Sequence, residues 1–308
     1  MTPCCFRFNG IVATWSHFIV FESKSLSAIS VPICHLCITM TEGYYKFQYQ
    51  NAILGYQKTG AGPEALFIFH GFGQDHSAFN LLVEVLDKKF TLYSFDLFFH
   101  GKSKWLLDDK PLEKGYWAQI IHAFIAEHNI QRFSLMGFSL GSKFVLATLE
   151  AKAPLVNSVF LLAPDGIKTN FWYSLATYPI ALRSLFKSMI AHPGRFETLV
   201  KMAKASRMVD KGLIRFAQLQ MDTEEKRRQV YNSWVIFSPL TFEMRYIATL
   251  ITTNSIRLSV ILGKFDKVIT HQNMKRLLER LPNYQLHILD TGHTGLIKQS
   301  VELLKSEL

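Results

Sequence analysis

The strongest constraint on the fold is an alternation of short apolar runs with segments of helical period. "EALFIFHG" (64–71), "TLYSFDL" (91–97), "RFSLMGFS" (132–139) and "VNSVFLLAPDG" (156–166) read as buried strands, the last stopped by Pro164 and Gly166. Between them, "AFNLLVEVLDKKF" (78–90), "GYWAQIIHAFIAEHNI" (115–130) and "LGSKFVLATLEA" (140–151) carry apolar residues at helical spacing. This order predicts an α/β fold, a mostly parallel central sheet with helices on both faces. The alternation pauses after residue 166 and resumes with a strand at 256–266, a helix over 272–280, a strand at 284–290 and a last helix. The residues between are mostly helical in pattern. They predict a helical cap at 165–250, inserted into a core made of 40–164 and 251–308.

The chain of 308 residues is 49% apolar, enough to bury a large core, and 19% charged, too apolar to be disordered. No run of 18 or more uncharged apolar residues reads as a membrane span. Residues 1–39 differ from the rest, holding only Arg7, Glu22 and Lys24 as charges and all four cysteines: Cys4, Cys5, Cys34 and Cys37. Cysteines confined to one end do not staple a fold, and the lone C-x-x-C at Cys34–Cys37 has no second pair to complete a zinc site. "GIVATWSHFIVF" (10–21) resembles a short leader core but lacks a basic start and a clean cleavage site. The expectation is that 1–39 is a disordered extension or an early translation start, that the folded chain begins near Met40, where two strands follow, and that the location is cytoplasmic.

"GFSLG" (137–141) lies at a predicted strand–helix junction, with Ser139 between two glycines. A serine hydroxyl is a weak nucleophile and needs a base, a group to orient that base, and donors for the oxyanion. A sharp turn there lifts the hydroxyl above the sheet, and the following helix N-terminus supplies free N–H groups. "HGFG" (70–73) follows an earlier strand, where a second oxyanion donor belongs. Asp266 in "GKFDKVI" and His293 in "DTGHTG" each follow a later strand, at the ends where open α/β sheets place their sites. Asp165 in "LLAPDG" also follows a strand and stays open as the group that holds the base.

With these motifs in view, the sequence resembles the α/β-hydrolase family, of the single-domain esterase and lipase type, over about residues 44–306. "DLFFHGKS" (96–103) is similar to that family's D-x-x-x-H-G-x-S loop, though Phe98 and Phe99 make it more apolar. Ser142 stands where many relatives have another glycine. The resemblance implies Ser139 as nucleophile, His293 as general base, Asp266 as its orienting acid, and the backbone N–H groups of Phe72 and Leu140 as oxyanion donors. It favours Asp266 over Asp165, which then begins the cap. His70 is expected to shape the oxyanion loop through its backbone, His100 to pack in the 96–103 turn, and Asp96 to be structural. No cofactor and no metal are implied.

The implied reaction is serine-dependent cleavage of a carboxylic ester or related acyl substrate through an acyl-enzyme. A C–C hydrolase, a thioesterase or a lyase on the same triad is the alternative, and a non-catalytic binding protein is the reading from another class. Phe171, Leu175, Tyr178, Leu182, Phe186 and Met189 form a helical apolar stripe, either the cap's packing face or an acyl pocket wall, with Pro179 a break. Residues 165–250 carry thirteen Lys and Arg against seven Asp and Glu. Lys204, Arg207, Lys211 and Arg215 recur at helical spacing, a solvated face or a landing site for an acidic carrier protein or anionic surface. No nucleic-acid motif accompanies the charge.

Overall fold

A computed structural model describes residues 43–167, 180–206 and 211–307. The four cysteines and the expected boundary near Met40 lie outside the described residues, as do Phe171, Leu175, Tyr178, Pro179 and Arg207.

Among the described residues, nine strands form one sheet. The chain enters as an antiparallel hairpin, β1 (Gly43–Tyr49) and β2 (Ala52–Thr59), turned at Gln50 with φ 47°. It continues through β3 (Glu64–Phe69), a 3₁₀ turn at His76–Phe79, α1 (Asn80–Leu86), β4 (Phe90–Phe95) and the two-residue β5 (Lys104–Trp105) on β2. Then come α2 (Lys114–Glu127), β6 (Phe133–Phe138), α3 (Gly141–Lys152) and β7 (Val156–Leu162). After the helices that follow, β8 (Arg257–Gly263), a helix at His271–Leu278, β9 (Gln285–Leu289) and a helix at Leu296–Glu307 complete the chain.

The strand order is β1-β2-β4-β3-β6-β7-β8-β9, antiparallel through β2–β4 and parallel from β4 to β9. Every residue of β6 is buried, and β3, β7 and β8 each leave only one residue short of full burial. Burial on both faces explains their nearly unbroken apolar sequence. From β3 the chain moves to β4 on one side, whereas from β6 it moves to β7 on the other. The connections therefore part at the carboxyl ends of β3 and β6, opening the crevice in which such sheets place ligands.

Between β7 and β8 stand α4 (Ile180–Ala191), α5 (Pro193–Ser206), α6 (Lys211–Gln220), α7 (Glu224–Ile236) and α8 (Met244–Thr253). Phe186, Met189 and Ile190 of α4 close a second small core with Met221 and with Val230, Tyr231 and Val235 of α7. The buried guanidinium of Arg227 ties it together, its Nε donating to Ile190 O at 3.0 Å and its Nη1 to Met221 O at 3.1 Å. Phe186 and Met189, the described end of the apolar stripe, thus pack inward. Lys204 and Arg215 of the basic series are exposed. α8 buries Met244, Ile247, Ala248 and Ile251 in the main core, at the spacing of one helical face. No described helix is long and apolar enough to cross a membrane.

An aromatic cluster fixes α2 on the sheet. The Phe124 ring meets Phe47, Phe67 and Phe95 with centroids 5.3, 5.5 and 5.0 Å away, edge against face. Phe124→Ala is expected to cost about 3–5 kcal/mol, the range for emptying a buried aromatic site. A urea unfolding curve within 1 kcal/mol of wild type, on the order of a mere surface change, would contradict this packing.

Candidate active site

Ser139 follows β6 directly with φ 49°, a left-handed backbone that a non-glycine residue adopts only under constraint. The constraint is visible in its bonds. Ser139 N–H donates to Leu162 O at 2.9 Å, while Ser139 O accepts from the N–H groups of Asp165 at 3.1 Å and Ser142 at 3.0 Å. The flanking glycines serve close approach. A Cβ on Gly141 would stand 2.0 Å from Phe69 O and 2.6 Å from His70 O, and one on Gly137 would stand 2.6 Å from a Val145 methyl. Ser142, in place of a further glycine, is accommodated because its hydroxyl turns back to donate to Gly137 O at 3.3 Å.

His293 lies in the loop between β9 and α10 (Leu296–Glu307), and Asp266 in the loop between β8 and α9 (His271–Leu278). The structure brings both to Ser139. His293 Nε2 is 3.1 Å from Ser139 Oγ, and His293 Nδ1 is 2.6 Å from Asp266 Oδ2. The other Asp266 oxygen accepts the N–H groups of Val268 at 2.7 Å and Ile269 at 2.9 Å, so this buried carboxylate is fully engaged and aimed. An ionised Asp266 keeps the proton on Nδ1 and leaves the Nε2 lone pair facing the hydroxyl. Asp165, the other acid open from the sequence, is directed elsewhere: its Oδ1 accepts from Gly166 N–H at 2.7 Å and its Oδ2 is 3.9 Å from the buried Lys143 Nζ.

Across the crevice, the loop after β3 spends its N–H groups selectively. Gly71 N–H goes to Gln74 Oε1 at 2.9 Å, Gly73 N–H to His100 Nε2 at 3.1 Å and Gln74 N–H to Gly71 O at 3.3 Å. Among the described residues, no acceptor meets the N–H of Phe72 or that of Leu140 at the start of α3. These are the two donors that the resemblance implies.

His70, expected to shape this loop through its backbone, engages it through its ring as well. Its Nδ1 lies 2.7 Å from Gly71 O and its Nε2 accepts Leu97 N–H at 3.0 Å. Burial, reinforced by neighbouring His100, lowers its pKa to about 3, and burial lowers that of His100 too. Asp96 is structural, as expected. Burial pushes its pKa up, but hydrogen bonds from Tyr44 Oη at 2.6 Å, Lys102 N–H at 2.8 Å, and the N–H and ring of His76 outweigh this and hold it down. Phe98 fills the core beside Trp105, and Phe99 O accepts from Gln229 Nε2 of α7 at 2.9 Å, joining this loop to the inserted helices. These roles of Tyr44, His76 and the two histidine rings were not readable in advance, although "HGFG" and "DLFFHG" each flagged a histidine at the right turn.

The model of the alpha/beta hydrolase fold family matches residues 64–299. An uncharacterized protein of Mycobacterium tuberculosis is 26% identical over 144 residues, 44% of this chain and 40% of its own length. The chain thus spans about two fifths of the length of that curated relative. Among solved structures, a thermophilic esterase from Thermogutta terrifontis is similar with TM-score 0.61 at 16% identity, covering 86% of this chain and 96% of its own. Naproxen esterase from Bacillus subtilis follows with TM-score 0.57 at 14% identity, covering 87% and 90%. At such identities the likeness is one of fold.

Gly141→Ala is expected to lose about 1–3 kcal/mol by overpacking the elbow against β3, and a wild-type urea midpoint would contradict the close approach. Stability should also fall with acid. The His70 pKa is lowered in the folded chain, so unfolding takes up a proton once pH drops below the unfolded value near 6.5. Between pH 7.5 and 5, His70 alone should cost about 2 kcal/mol. Urea unfolding at the two pH values checks this, and equal stability would contradict a neutral, buried ring.

Proposed function

The chain belongs to the α/β-hydrolase family, and from that premise we propose that it is a serine hydrolase cleaving carboxylic esters through an acyl-enzyme on Ser139. The observation that carries the reading is the unbroken chain of contacts from Asp266 through His293 to Ser139, set opposite two N–H groups that meet no acceptor among the described residues. The esterase neighbours agree with it in fold.

In the proposed cycle, Ser139 Oγ attacks the ester carbonyl carbon while His293 Nε2 takes its proton. Charge gathers on the former carbonyl oxygen, where the Phe72 and Leu140 N–H groups receive it. Each such donor is worth about 3–4 kcal/mol in the transition state, more than in the ground state. The imidazolium formed is stabilised by Asp266, which keeps its own charge. Collapse expels the alcohol oxygen, which takes the proton from His293 Nε2, and leaves acyl-Ser139. Water then attacks the acyl carbon as His293 accepts its proton. A second collapse releases the carboxylic acid and returns the proton to Ser139.

The test is hydrolysis of p-nitrophenyl esters from acetate to decanoate by wild type, Ser139→Ala and Asp266→Asn. Ser139→Ala is expected to lower kcat by about 10⁴-fold or more, and Asp266→Asn by about 10⁴-fold. Circular dichroism should show both variants folded. Turnover by Ser139→Ala within tenfold of wild type, far less than about 10⁴, would remove the reading.

A further inference from the structure

We propose that His70 and His100 are positioning residues that aim the oxyanion hole, His70 by fixing the Gly71–Phe72 peptide and His100 by fixing the one after it. The proposal rests on the serine-hydrolase reading and goes beyond it, since the bonds of both rings go to the backbone of the loops and not to Ser139. A trans peptide is planar, with its C=O and N–H pointing in opposite directions. Gly71 O and Phe72 N–H are the two ends of one such plane. His70 Nδ1 holds the Gly71 O end at 2.7 Å, the shorter of two bonds there beside that from Gln74 N–H at 3.3 Å, so the Phe72 N–H is turned to the opposite side. The loop is also pressed onto the elbow: a Cβ on Gly71 would stand 2.8 Å from the Phe138 ring, next to Ser139.

The tautomer of each ring is dictated by its partners. Leu97 N–H donates to His70 Nε2, so that nitrogen carries no proton and Nδ1 is the donor to Gly71 O. Gly73 N–H donates to His100 Nε2, so His100 Nδ1 is the donor to Phe98 O at 3.0 Å. The rings meet edge to face, 5.2 Å between centroids, and His100 stands at 90° to the Phe72 ring, 5.3 Å away. Both are buried, with 1% and 2% of their surface exposed, so water does not substitute for a lost bond without rearrangement. The low pKa of His70 agrees with the neutral form that this arrangement needs.

The two nitrogens of His70 have different tasks, and two amide variants separate them. The Asn amide can reproduce the donor at Nδ1, whereas the longer Gln amide reaches the place of Nε2 and leaves Gly71 O with only the longer bond from Gln74 N–H at 3.3 Å. Inactivation by a fluorophosphonate probe would be followed for wild type, His70→Asn, His70→Gln and Ser139→Ala, with melting temperatures in parallel. His70→Gln is expected to lower kinact by about 10- to 100-fold, with KI within about threefold, because misaiming weakens the donor only where charge develops. His70→Asn is expected to recover about tenfold of that loss. Values of kinact within threefold of wild type in both variants would overturn the proposal. So would equal losses that track the melting temperatures, which is what a merely structural role gives. Failure of the wild type to label, or labelling of Ser139→Ala at the wild-type rate, would instead overturn the serine-hydrolase reading on which the proposal stands.

Discussion

Ser139 holds a left-handed backbone, worth about 1–3 kcal/mol of strain in a non-glycine residue, because three hydrogen bonds and two glycine contacts leave the chain no relaxed path there. Its N–H is tied to β7 and its C=O is shared by Asp165 and the first turn of α3. Gly141 lets α3 press against the end of β3, which brings the elbow and the loop after β3 into van der Waals contact. The crevice between β3 and β6 is therefore both a product of strand order and a tightly clamped joint. Asp266 and His293 arrive from the loops after β8 and β9, beyond β7 in the sheet, so the ends of β3, β6, β8 and β9 contribute to one point. Relaxing the elbow would move Ser139 Oγ out of reach of His293 Nε2 at once.

The second dependency is electrostatic. Around the loop after β3, polar groups are buried without being left unsatisfied, which is the condition for burying them at all. Asp96 takes hydrogen bonds from Tyr44, His76 and Lys102, and two neutral histidines each take one backbone N–H and give another hydrogen bond to a carbonyl. Among the described residues, this accounting leaves the Phe72 N–H over. Selective satisfaction, rather than any special chemistry of phenylalanine, is what makes that position a candidate donor. The inserted helices lean on the same region, through Gln229 on Phe99 O and through Phe72 against the second small core.

Much of this was legible in the sequence, for identifiable reasons. Buried parallel strands write themselves as apolar runs, and "GFSLG" marks the elbow because both close approaches demand glycine. Asp266 and Asp165 could not be separated by residue type, since both follow a strand. What separates them is the path of two loops from distant parts of the chain, with Lys143 drawing Asp165 away. The role of the His70 ring has no local sequence signal, because its partner Leu97 lies 27 residues away, across the β3–β4 crossover. β5 was missed because a two-residue strand has no periodicity, and only its pairing with β2 defines it. The core membership of α8, by contrast, was written in the spacing of Met244, Ile247, Ala248 and Ile251.

The account stands on one claim, that the Ser139 hydroxyl is activated by His293 and Asp266. The most direct measurement is the intact mass of the protein after incubation with a fluorophosphonate, followed by peptide mapping of any adduct. One adduct per chain, mapped to Ser139 and lost when the protein is unfolded in urea beforehand, is the predicted result. No adduct on the folded protein, or an adduct spread over several serines, would contradict it.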